Sequence, residues 1–239
     1  MWRSGPPFQQ AQMETPNMSG VPAAETEASA TSESSPAKTG HVAMRPQRMD
    51  WREVAAWRKA ERERLIAARL ALSPAIRTRH AQRIIASLRA IIGYPDGAVI
   101  SFYWPMKGEP DLRPLMHALH GAGAICALPV VLERGQPLSF RAWAPDAPME
   151  RGVWNIPIPA RAEYVTPHLL IAPVVGFDPQ NYRLGYGGGY FDRTLAGIGN
   201  EARAIGIGYE QAFIPTIHPQ RHDIRLSSIV TEQQVHTGA

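Results

Sequence analysis

The stretch that most constrains this chain places a strand, a glycine-rich loop and a short helix in succession. The run LLIAPVVGF at 169–177 is continuously apolar, which predicts a buried parallel strand. Four glycines then fall within five positions, at Gly185, Gly187, Gly188 and Gly189. The segment YFDRTLAG at 190–197 predicts a short helix with Asp192 and Arg193 in its first turn and Gly197 as its stop.

This succession is typical of a phosphate site. Glycines let backbone N–H groups converge on an anion, and the helix N-terminus adds partial positive charge. The stretch is neither a dinucleotide fingerprint, because Tyr190 stands where GxGxxG needs its last glycine, nor a Walker loop, because no GxxxxGK[ST] occurs. A turn that merely reverses the chain is the alternative, but such a turn needs one or two glycines rather than four.

Composition limits the class of protein. The 239 residues are 44% hydrophobic, and no run approaches the roughly 20 apolar residues of a membrane span. Cys126 is the only cysteine and lies in an apolar run, which predicts a buried strand residue and a reducing, cytoplasmic location. The net charge of +4 favours an anionic partner, whether nucleic acid, nucleotide or a polyanionic small molecule.

The chain divides by composition at about residue 48. Residues 1–48 are rich in Pro, Ser, Thr, Glu, Gly and Ala and predict a disordered tail without a secretory signal, whereas 49–239 predicts one folded domain. Asp50 and Ser73 are placed to start helices. The patterns predict helices at 51–72, 74–92 and 111–121 and strands at 98–105, 124–131 and 202–209. They also predict an edge hairpin at 138–143 and a loop over the site at 154–159. Short connections between strands and helices predict a three-layer α/β domain with a mainly parallel sheet.

The first of these helices carries an apolar stripe and many basic residues. Val54, Trp57, Leu65, Ala68 and Leu72 predict the buried face, and the arginines and lysine between them predict a largely solvated remainder. The second helix is expected to face inward through Ile76, Ile84, Ile85, Leu88 and Ile92. His117 and His120 lie three apart on a helix, but no third ligand stands near, so we interpret them as surface or core residues rather than a metal site.

The segment RLGYGGGYFDR resembles the signature of the 5-formyltetrahydrofolate cyclo-ligase family, also called methenyltetrahydrofolate synthetases. The resemblance extends over roughly Trp57 to Glu232. It implies a Rossmann-like fold, ATP and Mg²⁺ as cofactors, and closure of 5-formyltetrahydrofolate to 5,10-methenyltetrahydrofolate with release of ADP and phosphate. The small-molecule substrate would be the partner, with no nucleic acid and no membrane involved; the oligomeric state stays open.

The resemblance also implies roles for particular residues. Metal ligands would be Asp192 and Asp223, and catalytic residues would be Arg62, Arg183 and Tyr190. Nucleotide-binding residues would be Arg58, Lys59, Arg62, Arg183, Leu184, Gly185, Tyr186, Gly187, Gly188, Gly189, Tyr190 and Phe191. Substrate-binding residues would be Arg62, Tyr103, Trp104, Glu109, Tyr186 and Tyr190.

Departures from the family pattern keep two rival classes open. The family commonly has lysine where this chain has Arg58 next to Lys59, and often has a second aspartate where this chain has Ser227. These departures are the support for a folate- or nucleotide-binding paralogue without turnover. A nucleic-acid-binding module is the other rival, motivated by basic charge, although most aromatic residues lie in apolar runs. For Glu109 a solvated or helix-capping acid, for Trp104 ordinary core packing, and for His222 a surface pair with Asp223 are the alternatives to a functional role.

Overall fold

A seven-stranded sheet organises the part of the chain that the computed structural model describes, residues 49–238; the predicted tail at 1–48 lies outside that range. The strands are β1 (Val99–Ser101), β2 (Ile125–Val130), β3 (Ser139–Trp143), β4 (Met149–Arg151), β5 (Pro157–Pro159), β6 (Leu169–Pro173), β7 (Gly176–Phe177), β8 (Arg183–Leu184), β9 (Arg203–Ile207), β10 (Ser228–Val230) and β11 (Val235–His236). The sheet order is β11-β10-β9-β6-β1-β2-β3. The five central strands are parallel, and β3 and β11 pair antiparallel at the edges.

Helices cover both faces of this sheet. They are α1 (Trp51–Ala71), α2 (Pro74–Ile92), α3 (Arg113–Gly121) and α4 (Tyr190–Ile198). Leu88 of α2 and Leu115 of α3 share one buried cluster with Ile171 of β6. Leu65 of α1 and Leu195 of α4 share the other cluster with Leu170. Because Leu170 and Ile171 are adjacent on one strand, they point to opposite faces, and the predicted three-layer α/β fold is confirmed.

The two predicted helix starts are confirmed by their caps. The Asp50 carboxylate accepts hydrogen bonds from the N–H groups of Arg52 and Glu53 at 2.7 and 2.9 Å, and Glu53 accepts one from the Asp50 N–H at 2.7 Å. This reciprocal arrangement is a capping box, typically worth about 1 kcal/mol. Ser73 accepts a hydrogen bond from the Ile76 N–H in front of α2, which begins with a proline.

The buried face of α1 differs from the predicted apolar stripe. Its fully buried members are Val54, Arg58, Leu65 and Arg69, so two arginines lie where solvated positions were expected. They are buried because distant backbone carbonyls and carboxylates accept their hydrogen bonds, and such partners cannot be inferred from helical spacing. In α2, Ile84 and Leu88 are buried as predicted, whereas Ile76 in the first turn is 38% exposed.

Two predicted segments are shorter or broken in the structure. The strand predicted at 98–105 ends at Ser101, and the run predicted at 169–177 leaves the sheet after Pro173. Gly176–Phe177 pairs instead with Arg183–Leu184 in a separate hairpin. Gly176 permits this bend under α1, because a Cβ there would lie 2.6 Å from the Leu65 side chain. The glycine-rich loop therefore follows a hairpin rather than a strand of the main sheet.

Element ends, and the strands β4, β10 and β11 that the patterns did not predict, account for the remaining differences. Helix α4 continues through Gly197, and Gly199 with φ +61° is its C-cap. Helix α3 begins at Arg113 rather than Asp111, whose carboxylate instead accepts hydrogen bonds from Arg113. The segment at 154–159, predicted as a loop, contains part of a 3₁₀ turn and all of β5.

The lone cysteine is where the sequence predicted it. Cys126 is buried in β2, and its thiol donates to the Met116 carbonyl at 3.4 Å. Burial raises its pKa to about 12, so it stays protonated at neutral pH. Within residues 49–238, no helix is long and apolar enough to cross a membrane.

Candidate active site

A cavity of about 640 Å³ opens at the carboxyl ends of β1 and β6. Tyr103 and Trp104 follow β1 into its wall, and Pro173 at the end of β6 closes its floor. From β1 the parallel connection through α3 leads to β2 on one side, whereas from β6 the connection through α4 leads to β9 on the other. The cavity thus lies where the strand order reverses, the usual ligand position in open α/β sheets.

The glycine-rich loop forms one wall of the cavity. Gly188, Gly189 and Tyr190 line it, and α4 begins at Tyr190, so the helix N-terminus faces the cavity. Gly187 and Gly189 have φ of +94° and +64°, conformations that side chains other than glycine rarely adopt. Gly188 does not have positive φ, but a Cβ there would lie 2.7 Å from the Tyr190 ring. The backbone requirement for glycine therefore falls on the first and third positions of the triplet.

Arg183 and Asp192 form a buried ion pair on the same wall. Two guanidinium nitrogens of Arg183 donate to the two Asp192 oxygens, both at 3.1 Å, and Oδ1 also accepts the Ile224 N–H at 3.2 Å. The Arg183 side chain is only 3% exposed and lies 5.4 Å from the centre of the Phe191 ring. Burial lowers the pKa of Arg183, but an arginine remains charged at neutral pH. A cation is therefore held beside the glycine loop.

Asp223 lies behind this wall rather than on it. Its carboxylate pairs with Arg58, whose other donors bind the carbonyls of Ile217 and His218, both at 2.9 Å. Burial acts to raise the pKa of Asp223, but the Arg58 hydrogen bond, the Gln220 N–H and the Arg58 charge together outweigh it and hold the pKa below its ordinary value. Asp223 precedes the residue whose N–H binds Asp192, so the two predicted metal ligands lie near each other.

The other predicted residues of α1 contribute unequally. Arg62 donates from Nε to the Gly185 carbonyl at 2.7 Å, and a Cβ on Gly187 would lie 3.4 Å from the Arg62 guanidinium carbon. Arg62 is therefore in contact with the glycine loop from α1. Lys59 is exposed on the outer face of the helix. Arg58 is fully engaged with Asp223 and two carbonyls, which makes it a support of the site.

One predicted nucleotide-binding side chain lies in the core. Leu184 is 1% exposed and packs in the cluster under α1 and α4, so only its backbone is near the loop. The predicted residues that the structure brings together around the cavity are Tyr103, Trp104, Glu109, Arg183, Tyr186, Gly188, Gly189, Tyr190, Phe191 and Asp192.

The opposite wall carries a buried acid among aromatic rings. Glu109 is 6% exposed, accepts the Met106 N–H at 2.9 Å, and accepts the Tyr186 hydroxyl at 2.6 Å. Burial raises the pKa of Glu109, and the Tyr186 hydrogen bond opposes that effect. Glu109 is thus neither a solvated acid nor the cap of α3, and its carboxylate is placed to accept hydrogen bonds from a ligand in the cavity.

A strap from 153 to 158 lies across the cavity, in the position that the sequence predicted for the WNIPIP segment. Val153, Trp154, Ile156 and Ile158 line the cavity. Trp154 has φ +57° and meets the Tyr190 ring edge-on, with ring centres 5.4 Å apart. The strap therefore packs against Tyr190 at the start of α4 and contributes apolar side chains to the cavity wall.

Sequence reasoning missed Arg69 and Lys107. Arg69 is 4% exposed and donates to the Tyr186 hydroxyl at 2.7 Å and to the Lys107 carbonyl at 2.9 Å. Lys107 lines the cavity, its ammonium 5.4 Å from the centre of the Tyr186 ring. Arg69 lies seven positions after Arg62 and eleven after Arg58, a spacing that puts all three on one helix face. That spacing was the available signal; for Lys107 there was none.

Residues that the sequence left open are placed away from the cavity. Ser227 donates to the Ala204 carbonyl at the amino end of β9 and β10, the edge of the sheet opposite the cavity. His117 and His120 both face the Trp143 ring edge-on. His222 is 74% exposed and 3.9 Å from Asp223.

The residues around the cavity can be tested for a fit to magnesium. Among residues 49–238 no group of three or more His, Cys, Asp and Glu side chains could hold a metal. Magnesium does not need such a cage, because it binds through one or two carboxylates together with phosphate oxygens and waters. Asp192 on the cavity wall fits this arrangement, with Asp223 behind it.

Fold and site together define an α/β protein whose cavity has a glycine loop suited to an anion and aromatic walls suited to a planar group. The model of the 5-formyltetrahydrofolate cyclo-ligase family matches residues 54–232, and the chain belongs to that family.

Relatives agree with this membership. The 5-formyltetrahydrofolate cyclo-ligases of Haemophilus influenzae and Escherichia coli K12 are both 29% identical to the chain, over 140 and 144 residues. The alignments cover 55% and 57% of this chain and 74% and 79% of those proteins.

Solved structures match as well. The NMR structure of Aquifex aeolicus 5,10-methenyltetrahydrofolate synthetase superposes with a TM-score of 0.65 at 28% identity, covering 75% of this chain and 92% of the other. The Mycoplasma pneumoniae 5,10-methenyltetrahydrofolate synthetase gives a TM-score of 0.60 at 23% identity, covering 73% and 98%, which supports the fold alone.

Proposed function

We propose that this chain converts 5-formyltetrahydrofolate to 5,10-methenyltetrahydrofolate with consumption of ATP and release of ADP and phosphate. The observation that carries the proposal is the single cavity that holds both kinds of site. Arg183, the glycine loop and the α4 N-terminus stand on one wall, and Glu109 stands among Tyr103, Trp104 and the strap on the others. A nucleotide phosphate and a folate ring can therefore meet in one enclosed space.

The chemistry needs positioning and charge neutralisation more than covalent help. The formyl oxygen attacks the γ-phosphorus, and ADP leaves with the electron pair of the broken P–O bond. The second folate amine then attacks the activated formyl carbon, and phosphate leaves to give the methenyl ring. We assign Arg183, the loop N–H groups and Arg62 to the charge on the transferring phosphoryl group, because a buried guanidinium beside a helix N-terminus stabilises such charge.

Asp192, supported by Asp223, is the proposed magnesium ligand. The ion would supply neutralisation of phosphate charge when bound. Arg183 holds the Asp192 carboxylate from one side, and the Ile224 N–H holds it from another. Because both donors belong to the protein itself, the carboxylate is oriented before any ligand arrives.

The substrate end is assigned to the opposite wall. Glu109 accepts the N–H groups of the folate ring, and Tyr103 and Trp104 lie along the same wall. Tyr186 and Tyr190 line the cavity on the side of the glycine loop and would contact both ligands. A cytoplasmic location remains our prediction from cysteine usage.

The direct test mixes the purified protein with ATP, Mg²⁺ and 5-formyltetrahydrofolate and follows the ultraviolet absorbance of the methenyl product. Product formation that requires all three components supports the proposal. Binding of both ligands without product would instead identify a paralogue that has lost turnover. Salt-sensitive binding of nucleic acid without folate binding would place the chain in the third class.

The metal assignment has its own variant. Asp192→Asn should lose most turnover and regain part of it at high Mg²⁺, because the amide keeps the shape of the carboxylate but not its charge. Asp111→Asn is the matched control, since Asp111 also pairs with an arginine but lies outside the cavity. Full activity of Asp192→Asn at low Mg²⁺ would contradict the assignment.

A further inference from the structure

We propose that Arg69 is a positioning residue that acts on Glu109 through the Tyr186 hydroxyl. The proposal rests on the proposed function, because Glu109 is the acid assigned to the folate ring. Arg69 lies on α1, Tyr186 in the glycine-rich loop and Glu109 after β1, so three separate elements meet at one hydrogen-bonded chain. Neither the sequence pattern nor the resemblance assigned a role to Arg69.

The direction of the hydrogen bonds follows from the donor inventory. A guanidinium can only donate, so the Tyr186 oxygen accepts from Arg69 at 2.7 Å. The single tyrosine O–H is then left to donate, and Glu109 Oε1 lies 2.6 Å away. Arg69 therefore fixes Tyr186 as a donor to Glu109, and a tyrosine without that arginine could turn its hydroxyl elsewhere.

The consequence concerns the charge of Glu109. Its two oxygens receive the Tyr186 O–H and the Met106 N–H, and both bonds favour the carboxylate over the acid. Only an anionic, two-oxygen acceptor pairs well with the adjacent N–H donors of a 2-aminopyrimidinone ring such as that of a folate. The chain from Arg69 thus keeps Glu109 in the form that this ring requires.

The loop that carries Glu109 is also held by contacts that do not involve its carboxylate. The effect of a variant on the stability of the fold can therefore be separated from its effect on the charge of Glu109. Arg69 also donates to the Lys107 carbonyl at 2.9 Å, Tyr103 donates to the Pro110 carbonyl at 2.9 Å, and Tyr209 donates to the Gly108 carbonyl at 3.1 Å. Tyr209 is hydrogen-bonded to the backbone of this loop but not to the Glu109 carboxylate. It is therefore the matched control for a role that is only structural.

The groups that face Glu109 decide the sign of the pH effect. They are Arg69 from α1, Lys107 from its own loop, Tyr186 from the glycine loop, Tyr103 after β1 and Tyr209 after β9. Burial raises the pKa of Glu109, whereas the Tyr186 bond and the two cations lower it. Removing the Tyr186 hydroxyl or the Arg69 charge must therefore raise the pKa further. Affinity for the folate ring, present above that pKa, would then be lost at a higher pH.

The test uses the full chain and four variants: Arg69→Met, Arg69→Lys, Tyr186→Phe and Tyr209→Phe. The Glu109 carboxyl carbon is titrated by ¹³C NMR without ligand, with Glu109→Gln for assignment. In parallel, calorimetry measures 5-formyltetrahydrofolate and ATP affinities from pH 5.5 to 8, and thermal midpoints record stability. We expect Tyr186→Phe and Arg69→Met to move the Glu109 titration upward by about one pH unit and to weaken folate binding about tenfold near pH 6.

The controls make the outcome decisive. Arg69→Lys keeps the charge and should shift the titration less than Arg69→Met; Tyr209→Phe should lower the thermal midpoint without moving the titration. An unmoved Glu109 titration in Tyr186→Phe overturns the proposal even if Arg69→Met fails to fold. So does a shift of the same size in Tyr209→Phe. A wild-type protein that fails to bind 5-formyltetrahydrofolate would overturn the proposed function. The hydrogen-bonded chain from Arg69 to Glu109 is still tested in that case, because the NMR titration needs no ligand.

Discussion

At the scale of single residues, the site depends on buried arginines that fix the orientation of neighbouring side chains through hydrogen bonds. Arg183 orients Asp192, and Arg69 orients Tyr186, because a guanidinium offers several donors in a rigid fork. Each arginine is almost fully buried, so its hydrogen bonds are not exchanged with water. The Asp192 carboxylate and the Tyr186 hydroxyl are thereby held in fixed orientations by neighbouring guanidinium groups.

The glycine triplet gives a prediction at this scale. Gly187→Ala and Gly189→Ala should each lose about 1–2 kcal/mol of stability, because both positions have left-handed backbone, and ATP affinity should fall with them. Gly188→Ala should keep its stability within about 0.5 kcal/mol if the Tyr190 ring rotates away from the new methyl group. Urea denaturation and calorimetry with ATP measure both quantities. Equal losses at all three positions would indicate a hinge rather than a shaped anion site.

At the scale of elements, α1 is the member that ties distant parts of the site together. Along one face it contacts the loop at 217–223 through Arg58, the glycine loop through Arg62, and the loop after β1 through Arg69. A helix can do this because residues three, four and seven positions apart share one side. The apolar stripe that the sequence predicted is therefore shared with a row of arginines that bind other elements.

The Arg58–Asp223 pair gives the prediction for this element. Arg58→Met should lose about 3–5 kcal/mol of unfolding free energy at pH 7, because it leaves a largely buried carboxylate unpaired. Asp223 has a depressed pKa in the folded state, so its stabilisation is present above the unfolded value near 4 and is lost as pH falls through the folded value. This acid-side loss should be smaller in Arg58→Met.

Urea denaturation of Arg58→Met, Asp223→Asn and the double variant at pH 7 and pH 3 measures the coupling. The double variant should lose less than the sum of the single variants. Glu61→Gln is the control on the same helix, since its partner Arg64 is largely exposed, and it should change stability by less than about 1 kcal/mol. Additive losses would mean that the pair does not hold α1 in place.

At the scale of the whole molecule, the sheet supplies the position and the loops supply the chemistry. Both buried clusters, the cavity and the family match lie within residues 49–238. The strand order reverses between β1 and β6, and every wall of the cavity is built by segments that follow the carboxyl ends of strands or lie over them.

Deleting residues 1–48 should therefore leave turnover and the thermal midpoint nearly unchanged. The reason is the composition of that segment, which has too few large apolar residues to bury a core of its own. Deleting residues 1–53 is the contrasting variant, because it removes the Asp50–Glu53 capping box and should lower the midpoint by several degrees. A comparable fall on deleting only 1–48 would show that the segment packs against the domain.

The sequence by itself determined what depends on nearby residues. The caps Asp50 and Ser73 and the helix that starts at Tyr190 follow from spacing and local hydrogen bonding, and their positions were predicted within a few residues. The glycine loop was recognisable for the same reason, because its requirement for left-handed backbone is a property of single residues. Family membership followed from those motifs as well.

Only the tertiary structure decided which distant groups meet. That Arg58 pairs with Asp223, 165 residues away, and that Arg69 reaches Tyr186, 117 residues away, depends on how α1 lies across the sheet. The run at 169–177 looks like one strand because all of it is buried, yet its second half pairs with a different hairpin. The hydrophobicity of a residue indicates that it is buried but not which residues it is buried against. The site of this protein depends on those contacts between distant residues.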